Sequence, residues 1–232
     1  MSSLQKITTG DGSVTFKNVE LDETYHSISG AAQEALLKHV MPSGVLEHED
    51  AVIGDVCFGL GYNLIVAIAE HQKKFPKGQL QIFAFENDKD ILEKINEINY
   101  GVYEPAAGKI RELLNNRIER MLSYDIYFYE DDALTITLYR GDVKETLPLL
   151  ASEVLEVVFF DPFSPKKQPE LWSTDLLEVV YEVMEKDAVL TTYSCARVVR
   201  DNLKTVGFTV EDGPIVGRNS PGTLAIKRFL FD

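Results

Sequence analysis

Residues 51–63 read AVIGDVCFGLGYN, and this stretch decides the expected fold. A run of apolar and small residues predicts a buried strand, which ends at a turn containing Gly59 and Gly61. The apolar residues that follow recur at helical spacing, so a helix is expected to begin near Tyr62. Glycines in the turn let a ligand approach the backbone, and free N–H groups at the start of a helix bind anions. The stretch therefore predicts a strand–turn–helix unit that can hold a ligand.

The glycine spacing restricts the kind of ligand. A dinucleotide fingerprint needs a third glycine at position 64, where this chain has leucine, and the sequence has no G-x-x-x-x-G-K-[ST] phosphate-binding loop. What is left is Asp55 ahead of a shortened glycine turn, which resembles the S-adenosylmethionine (SAM) motif of methyltransferases. A turn with a purely structural role stays open as the alternative.

Strand and helix patterns alternate along the rest of the chain. Further strands are expected at residues 80–86, 125–130, 133–139, 157–161 and 188–193. Two closing strands, near 208–210 and 223–227, have no helical pattern between them, so the last strand is expected to be antiparallel. The predicted fold class is α/β, with a Rossmann-like, mostly parallel sheet of the kind found in class I SAM methyltransferases.

No linker-like segment divides the chain, so the sequence predicts one main domain with attachments. The main domain is expected over residues 51–232, with an insertion near 99–123 whose apolar residues keep helical spacing as far as Leu122. Residues 1–50 are interpreted as an N-terminal extension. It would contain a small β-hairpin, formed by residues 13–17 and 19–21, and a helix capped by Ser29.

Composition excludes several classes of protein. With 232 residues, 45% hydrophobic and 26% charged, the chain is globular rather than disordered. The sequence contains no apolar run long enough to span a membrane and no signal-like N-terminus, so a cytoplasmic protein is expected. Two cysteines in apolar runs suggest buried thiols, and no metal site is expected because the four histidines lie far apart. The net charge of −14 disfavours a polyanionic partner.

Acidic residues follow two of the predicted strands. Glu86 ends the strand after the glycine turn, where a carboxylate can accept hydrogen bonds from both ribose hydroxyls of a nucleoside. Asp142 follows a later strand and can accept from an adenine amino group, although it can equally cap the helix that follows. The carboxyl ends of parallel strands meet in one crevice, so we expect both acids to line a single ligand site.

The stretch DPFSPKKQPELW, residues 161–172, is expected to carry the reaction site. A fully apolar strand delivers Asp161 into a loop that several prolines stiffen. Its first residues are similar to the (Asp/Asn)-Pro-Pro-(Tyr/Phe) signature of methyltransferases that act on exocyclic amines, where an acceptor holds an N–H and aims the nitrogen lone pair at the methyl carbon. Asp161 can instead cap its own turn, and Phe163 and Trp172 can be core residues.

A cationic rim is expected near this loop. Contacts to phosphate groups are predicted for Lys166, Lys167, Arg197, Arg200 and Arg218, with scattered solvated charges as the alternative.

Taken together, the motifs resemble the methyltransferase domain of MnmC, the tRNA 5-methylaminomethyl-2-thiouridine biosynthesis protein, and its stand-alone relatives. The matching stretches are DGS (11–13), ETYHS (23–27), FGLGYN (58–63), residues 161–172, TYSCA (192–196) and GRNSPG (217–222). The resemblance implies a Rossmann-like fold, SAM as methyl donor and, as acceptor, the aminomethyl group on C5 of the wobble uridine in the tRNA anticodon loop.

The same resemblance implies roles for individual residues. Asp161 would be the catalytic carboxylate. Cofactor binding is expected for Tyr25, Ser27, Gly59, Gly61, Asn63, Glu86, Asp142 and Asp161. Substrate binding is expected for Phe163, Lys166, Lys167, Trp172, Tyr193, Arg197 and Arg218, with the aromatic residues stacking on the base.

The sequence departs from the bifunctional MnmC protein in one respect. It has no room for the FAD-dependent oxidoreductase domain that produces the aminomethyl group, so only methyl transfer is expected. Three other functions stay open: a SAM-dependent methyltransferase of a small-molecule or protein amine, a non-catalytic SAM- or tRNA-binding module, and an NAD-dependent oxidoreductase. The acidic net charge fits the first of these well.

Overall fold

The computed structural model describes residues 4–216 and 220–228 of the chain. A central sheet of nine strands dominates the architecture, and a small three-stranded sheet precedes it. The small sheet consists of β1 (Leu4–Thr8), β2 (Val14–Asn18) and β3 (Glu23–Thr24). The central sheet consists of β4 (Ala51–Val56), β5 (Leu80–Glu86), β6 (Arg117–Arg120), β7 (Asp125–Asp131), β8 (Leu134–Arg140), β9 (Leu155–Phe160), β10 (Met184–Thr192), β11 (Thr209–Ile215) and β12 (Pro221–Ile226).

The strand order of the central sheet is β11-β12-β10-β9-β4-β5-β8-β7-β6. Strands β10, β9, β4, β5 and β8 are parallel neighbours, whereas β12 runs antiparallel to both β10 and β11. The prediction of a mostly parallel sheet with an antiparallel last strand is therefore confirmed. From β4 the chain crosses first to β5 on one side, and β9 lies on the other, so a crevice opens where these strands end.

Helices cover both faces of the sheet. They are α1 (Ala31–Glu34), which continues as a π-helical segment (Ala35–Val40), α2 (Tyr62–Lys74), α3 (Lys89–Lys94), α4 (Glu104–Asn115), α5 (Val143–Thr146), α6 (Thr174–Val183) and α7 (Arg197–Val206). The first four helices pack their apolar side chains into a core on one face of the sheet, and α5, α6 and α7 build the core on the other face. Burial on both faces explains why the central strands are almost continuously apolar.

The N-terminal extension packs against the main domain. The buried Tyr62 at the start of α2 donates a hydrogen bond from its hydroxyl to the carbonyl of Val14 on β2, 2.8 Å away. The predicted N-terminal β-hairpin is confirmed, but its strands differ from those expected: β2 pairs antiparallel with β1 and with β3, and residues 19–22 form the turn before β3 instead of a strand. Ser29 is not the helix cap; Gly30 occupies that position.

The predicted helical insertion ends earlier than expected. Helix α4 stops at Asn115, and the next residues form the edge strand β6. Ile118, Met121 and Leu122 continue the apolar spacing of α4, yet all three are exposed, so that part of the pattern was misleading. Among the described residues, no helix is both long enough and apolar enough to span a membrane. Cys57 and Cys195 are free thiols. The sequence predicted that both would be buried, but both side chains are half-buried.

Candidate active site

A cavity of about 640 Å³ lies at the carboxyl ends of β4, β5, β8 and β9. Its lining includes eight of the residues that the sequence proposed for the site: Tyr25, Ser27, Gly59, Glu86, Asp142, Asp161, Phe163 and Tyr193. The parallel strands end side by side here, so residues far apart in the sequence converge on one crevice.

The turn after β4 has the backbone conformation that its glycines allow. Gly59 and Gly61 have φ values of 56° and 75°, in the left-handed region. A Cβ atom on Gly61 would lie 2.6 Å from the ring of Phe58, so a larger residue would force the turn apart. Cys57 also has a positive φ of 68°, which is a strained conformation for a residue with a side chain. The turn is therefore tightly constrained beside the cavity.

Glu86 binds the backbone of this turn. One carboxylate oxygen accepts from the Gly59 N–H at 2.7 Å, and the other accepts from the N–H groups of Asn87 and Asp88. Burial raises the pKa of Glu86 to about 7, although these hydrogen bonds favour the ionised form and limit the rise. The carboxylate thus faces the cavity with neutral donors, and no cation of residues 4–216 or 220–228 is paired with it.

Asp142 is the helix cap that its position suggested, and it also borders the cavity. Its Oδ1 atom accepts from the Lys144 N–H at 2.9 Å and caps α5, while the residue also lines the cavity. Within the described part of the chain, Oδ2 makes no hydrogen bond, so this oxygen can accept one from a ligand.

Asp161 lies at the end of β9, and its side chain is only 11% exposed. The Asn63 amide, in the first turn of α2, donates to its Oδ2 atom at 3.1 Å. Burial raises the pKa of Asp161 to about 6, and the nearby Glu34 carboxylate adds to the rise. The Asn63 hydrogen bond and the charges of His26 and Lys38 oppose it. Asp161 is thus largely ionised at neutral pH and becomes protonated at only slightly lower pH.

The loop after Asp161 is fastened to the N-terminal extension. Glu23 on β3 accepts hydrogen bonds from the backbone N–H of Ser164, at 2.9 Å, and from its hydroxyl. The ring of Tyr25 packs edge-on against Phe163 with centroids 4.8 Å apart, and its hydroxyl donates to Asp88 at 2.8 Å. The segment around Tyr25 therefore forms a wall of the cavity between the ends of β5 and β9.

Several predicted site residues lie elsewhere. Trp172 is 2% exposed and donates its indole N–H to the Phe163 carbonyl at 2.8 Å, so it supports the loop from the core instead of facing a base. Gly61 and Asn63 do not line the cavity, although Asn63 reaches it indirectly through its hydrogen bond to Asp161. Lys166, Lys167 and Arg197 are exposed outside the cavity.

Two further rim residues need separate mention. Arg200 bonds to Thr223, Gly222 and Asp212, so it ties α7 to the closing strands. Arg218 lies outside the described residues.

The sequence reasoning missed a buried polar cluster beside Asp161. The helix formed by α1 and its π-helical continuation places Glu34 and Lys38 on the cavity, joined by an ion pair of 2.7 Å. Glu34 also accepts from the Ser27 N–H at 2.6 Å, and His26 lines the same wall. The i,i+4 spacing of Glu34 and Lys38 in a mostly apolar helix was the available signal.

Asp55 lies beneath the glycine turn and is fully buried. Neither carboxylate oxygen has a hydrogen-bond partner within the described residues. Burial raises its pKa well above the usual range, and the charges of Asp161 and Glu86 add to the rise. Burial at the end of β4 therefore favours the neutral form of Asp55.

Comparisons with known proteins agree with this geometry. A family model described as S-adenosyl-L-methionine-dependent methyltransferase matches residues 105–228. An uncharacterized protein of Methanocaldococcus jannaschii is 33% identical over 221 residues, which are 95% of this chain and 59% of that protein. The tRNA 5-methylaminomethyl-2-thiouridine biosynthesis bifunctional protein MnmC of Vibrio campbellii is 25% identical, over 83% of this chain and 31% of its own length. The chain thus spans less than two thirds of these relatives.

Solved structures give the same result. The crystal structure of MnmC2 from Aquifex aeolicus superposes with a TM-score of 0.79 at 32% identity, covering 97% of this chain and 70% of that chain. Spermidine synthase from Thermotoga maritima, at 13% identity and a TM-score of 0.63, shares the fold. The chain belongs to the S-adenosyl-L-methionine-dependent methyltransferases and is an MnmC-like methyltransferase domain.

Proposed function

We propose that this chain transfers a methyl group from SAM to the amino nitrogen of 5-aminomethyluridine or its 2-thio form, at the wobble position of tRNA. The observation that carries the proposal is Asp161: a partly buried carboxylate that lines the cavity and opens the loop bearing Phe163. The names of the MnmC relatives support the choice of tRNA.

The cavity residues fit the cofactor. Glu86 would accept hydrogen bonds from the two ribose hydroxyls, because its carboxylate faces the cavity and carries no cation. The free Oδ2 atom of Asp142 would accept from the adenine amino group, and the backbone at Gly59 allows close approach. When bound, SAM supplies an electrophilic methyl group on a sulfonium. The predicted cofactor contacts of Tyr25 and Ser27 are part of this proposal, since both line the same wall.

Asp161 would act on the substrate amine. A neutral amine is needed for attack, and an amine N–H donating to the Asp161 carboxylate would aim the nitrogen lone pair across the cavity. Methylation gives a secondary ammonium, and its surplus proton passes to the same carboxylate. With a pKa of about 6, Asp161 is largely ionised at neutral pH and can accept that proton. Positioning and proton removal would therefore both depend on this one side chain.

The base would enter from the open side of the cavity. An anticodon-loop uridine is single-stranded, so turning it out of the stack costs little compared with a duplex base. Phe163 would stack on the uracil, and Tyr193, which also lines the cavity, would contact it as well. The exposed Lys166, Lys167 and Arg197 would contact the backbone phosphates. The aminomethyl group itself must come from a reaction that forms a primary amine on the base.

The test uses methyl-labelled SAM with tRNA enriched in 5-aminomethyluridine, followed by digestion and identification of the labelled nucleoside. Label in 5-methylaminomethyluridine supports the proposal. A parallel reaction contains free primary amines and an amine-rich protein. Label only in those acceptors would contradict the tRNA substrate and favour a small-molecule or protein amine, which suits the net charge of −14.

A further inference from the structure

His39 is a buried titratable residue that the proposed reaction does not use. It lies in the π-helical segment after α1 and is fully buried, with the Asp161 carboxylate beside its ring and the charges of Glu34 and Lys38 also acting on it. Its Nδ1 atom is 3.0 Å from the hydroxyl oxygen of Thr191 on β10. Its Nε2 atom has no hydrogen-bond partner within the described residues and lies 3.7 Å from Oδ2 of Asp161.

Two nitrogen atoms thus approach the same oxygen of Asp161. The Asn63 amide donates to Oδ2 at 3.1 Å, and Nε2 of His39 faces it from another side. Oδ1 makes no hydrogen bond to any described residue, and Asp161 lines the cavity. The carboxylate is therefore held from one side, which leaves one oxygen for a ligand. A contact of 3.7 Å is longer than a hydrogen bond, but such contacts commonly shorten when a substrate binds.

The protonation of His39 suits a donor role. Burial lowers its pKa to about 4, so the ring is neutral at physiological pH and carries one proton. The contact with Thr191 fits either tautomer: the hydroxyl can donate to Nδ1, which places the ring proton on Nε2 facing Asp161, or an Nδ1–H can donate to Thr191. An ionised carboxylate at Oδ2 favours the Nε2–H tautomer over the one that would present a lone pair to it.

We propose that His39 is a positioning residue, which donates its Nε2–H to Oδ2 of Asp161 and, together with Asn63, keeps Oδ1 directed at the substrate amine. This inference rests on the proposed role of Asp161. The other ionisable groups that act on Asp161 or face it are Glu34, Lys38, His26, Asp55 and Cys57, and none of them changes in the experiment below.

The experiment compares His39→Phe, which keeps an aromatic ring without a donor, with His39→Gln, which keeps an N–H at a similar reach. We expect His39→Phe to lower kcat about 10-fold or more, as for the loss of a hydrogen bond to a charged group. The acid limb of the kcat profile should move to higher pH, because losing a donor to the ionised form raises the pKa of Asp161. His39→Gln should restore most of the lost kcat and most of the shift of the acid limb. The Kd for SAM should stay within about 3-fold in each variant.

His71→Phe is the matched control. His71 is also fully buried, with one ring nitrogen bonded to the His48 carbonyl at 3.1 Å and the other unpartnered among the described residues, but it does not contact Asp161. It should lower stability without moving the acid limb. If His39→Gln is as impaired as His39→Phe, or neither variant moves the acid limb, a positioning role is ruled out.

Two measurements do not need catalysis. ¹⁵N NMR of the wild-type protein should find the Nε2–H tautomer of His39 at neutral pH; the Nδ1–H tautomer would overturn the proposal. A ¹³C titration of the Asp161 carboxyl, assigned with Asp161→Asn, should give a higher pKa in His39→Phe than in wild type. Should wild type fail to methylate tRNA while both NMR results hold, the proposed substrate fails and the positioning of Asp161 stands.

Discussion

Carboxylates gather at both edges of the central sheet. At the amino ends of the strands, a cleft is lined by Asp50, Glu130, Asp131, Asp132, Glu156 and Glu185. Asp131 has an ion pair and two further hydrogen bonds: it pairs with Lys109 and accepts from the Tyr129 hydroxyl and the Ala133 N–H. Burial alone would raise the pKa of Asp131, but Lys109 and these hydrogen bonds hold it below its usual range.

At the carboxyl ends, Glu86 and Asp161 are held differently. Their direct hydrogen-bond donors are backbone and amide N–H groups, and burial raises their pKa values to about 7 and about 6. A carboxylate without a direct cation stays available to a ligand, whereas an ion-paired one is already satisfied. The comparison of Asp131 with Glu86 and Asp161 teaches that a buried carboxylate held by neutral donors marks the reaction site, whereas the number of acids, which is similar at both edges, does not.

Removing one carboxylate charge from each edge should give the largest difference in turnover between them. Asp161→Asn should lower turnover about 10²–10⁴-fold, the usual contribution of a general base, while the Kd for SAM stays within a few-fold. Asp132→Asn, an exposed residue of the amino-end cleft, should leave turnover unchanged. Single-turnover methylation and calorimetric SAM titration measure both. Retained turnover in Asp161→Asn would remove this carboxylate from the reaction.

Glu86 should produce the next largest effect, on binding instead of turnover. Glu86→Gln should raise the Kd for SAM about 10-fold or more, because hydrogen bonds to a charged acceptor are strong. Ribose hydroxyls favour the ionised carboxylate, so binding lowers the pKa of Glu86 and releases a proton. Wild-type affinity should therefore rise with pH and level off above about 7, the pKa of the free protein.

The control for this pH dependence is Glu130→Gln in the amino-end cleft. Its Kd for SAM should change with pH as the wild-type Kd does. Calorimetry across the range gives the Kd and, in buffers of different ionisation enthalpy, the released proton. A wild-type Kd that does not change with pH would show that Glu86 does not contact the ribose.

The sequence predicted the carboxyl edge well because the residues that follow parallel neighbouring strands must lie at the same edge of the sheet. Strand β5 was predicted with its observed bounds, and the strand that delivers Asp161 was predicted to within two residues. Once those strands are parallel neighbours, Glu86 and Asp161 must end at the same edge. Periodicity and strand ends are local signals, and they were sufficient for this part of the site.

The N-terminal wall beside Asp161 was not predictable in the same way. Glu34, Lys38 and His39 belong to a helix of the N-terminal extension, and which of its faces meets the cavity depends on how that extension packs. Trp172 was expected to stack on a base, but no local pattern shows whether a tryptophan in a loop faces the cavity or the core. The tertiary fold settles both, through the bond from Trp172 to Phe163 and the contact of Tyr62 with β2.

Smaller effects are expected from side chains that support the structure around each edge by a hydrogen bond, Trp172 at the carboxyl edge and Tyr129 at the amino edge. Trp172→Phe keeps a ring but leaves the Phe163 carbonyl without its donor, which should cost about 1–3 kcal/mol of unfolding free energy. The loosened loop should also raise KM for the tRNA a few-fold. Tyr129→Phe removes a hydrogen bond beside the amino-end cleft and should affect stability alone. Urea unfolding followed by circular dichroism, with steady-state kinetics, separates the two; an unchanged KM in Trp172→Phe would make its role purely structural.

The smallest effect is expected from surface charge. Lys166 and Lys167 are exposed on the loop after Asp161, whereas Lys73 and Lys77 are exposed around the end of α2, near the amino end of β5. If the tRNA docks over the cavity, Lys166→Ala with Lys167→Ala should raise KM about 3–10-fold and reduce the salt slope of binding by about 0.7 for each lost single-strand phosphate contact.

The matched pair Lys73→Ala with Lys77→Ala removes the same charge and should leave the salt slope unchanged. Both pairs make the chain more acidic than −14, so general repulsion of tRNA would weaken binding equally in the two variants. A difference between them therefore reports where the phosphates lie and not how much charge the protein carries. Equal slopes for the two pairs would mean that the lysines beside the cavity make no direct phosphate contact, and that the tRNA is held by other residues of the rim.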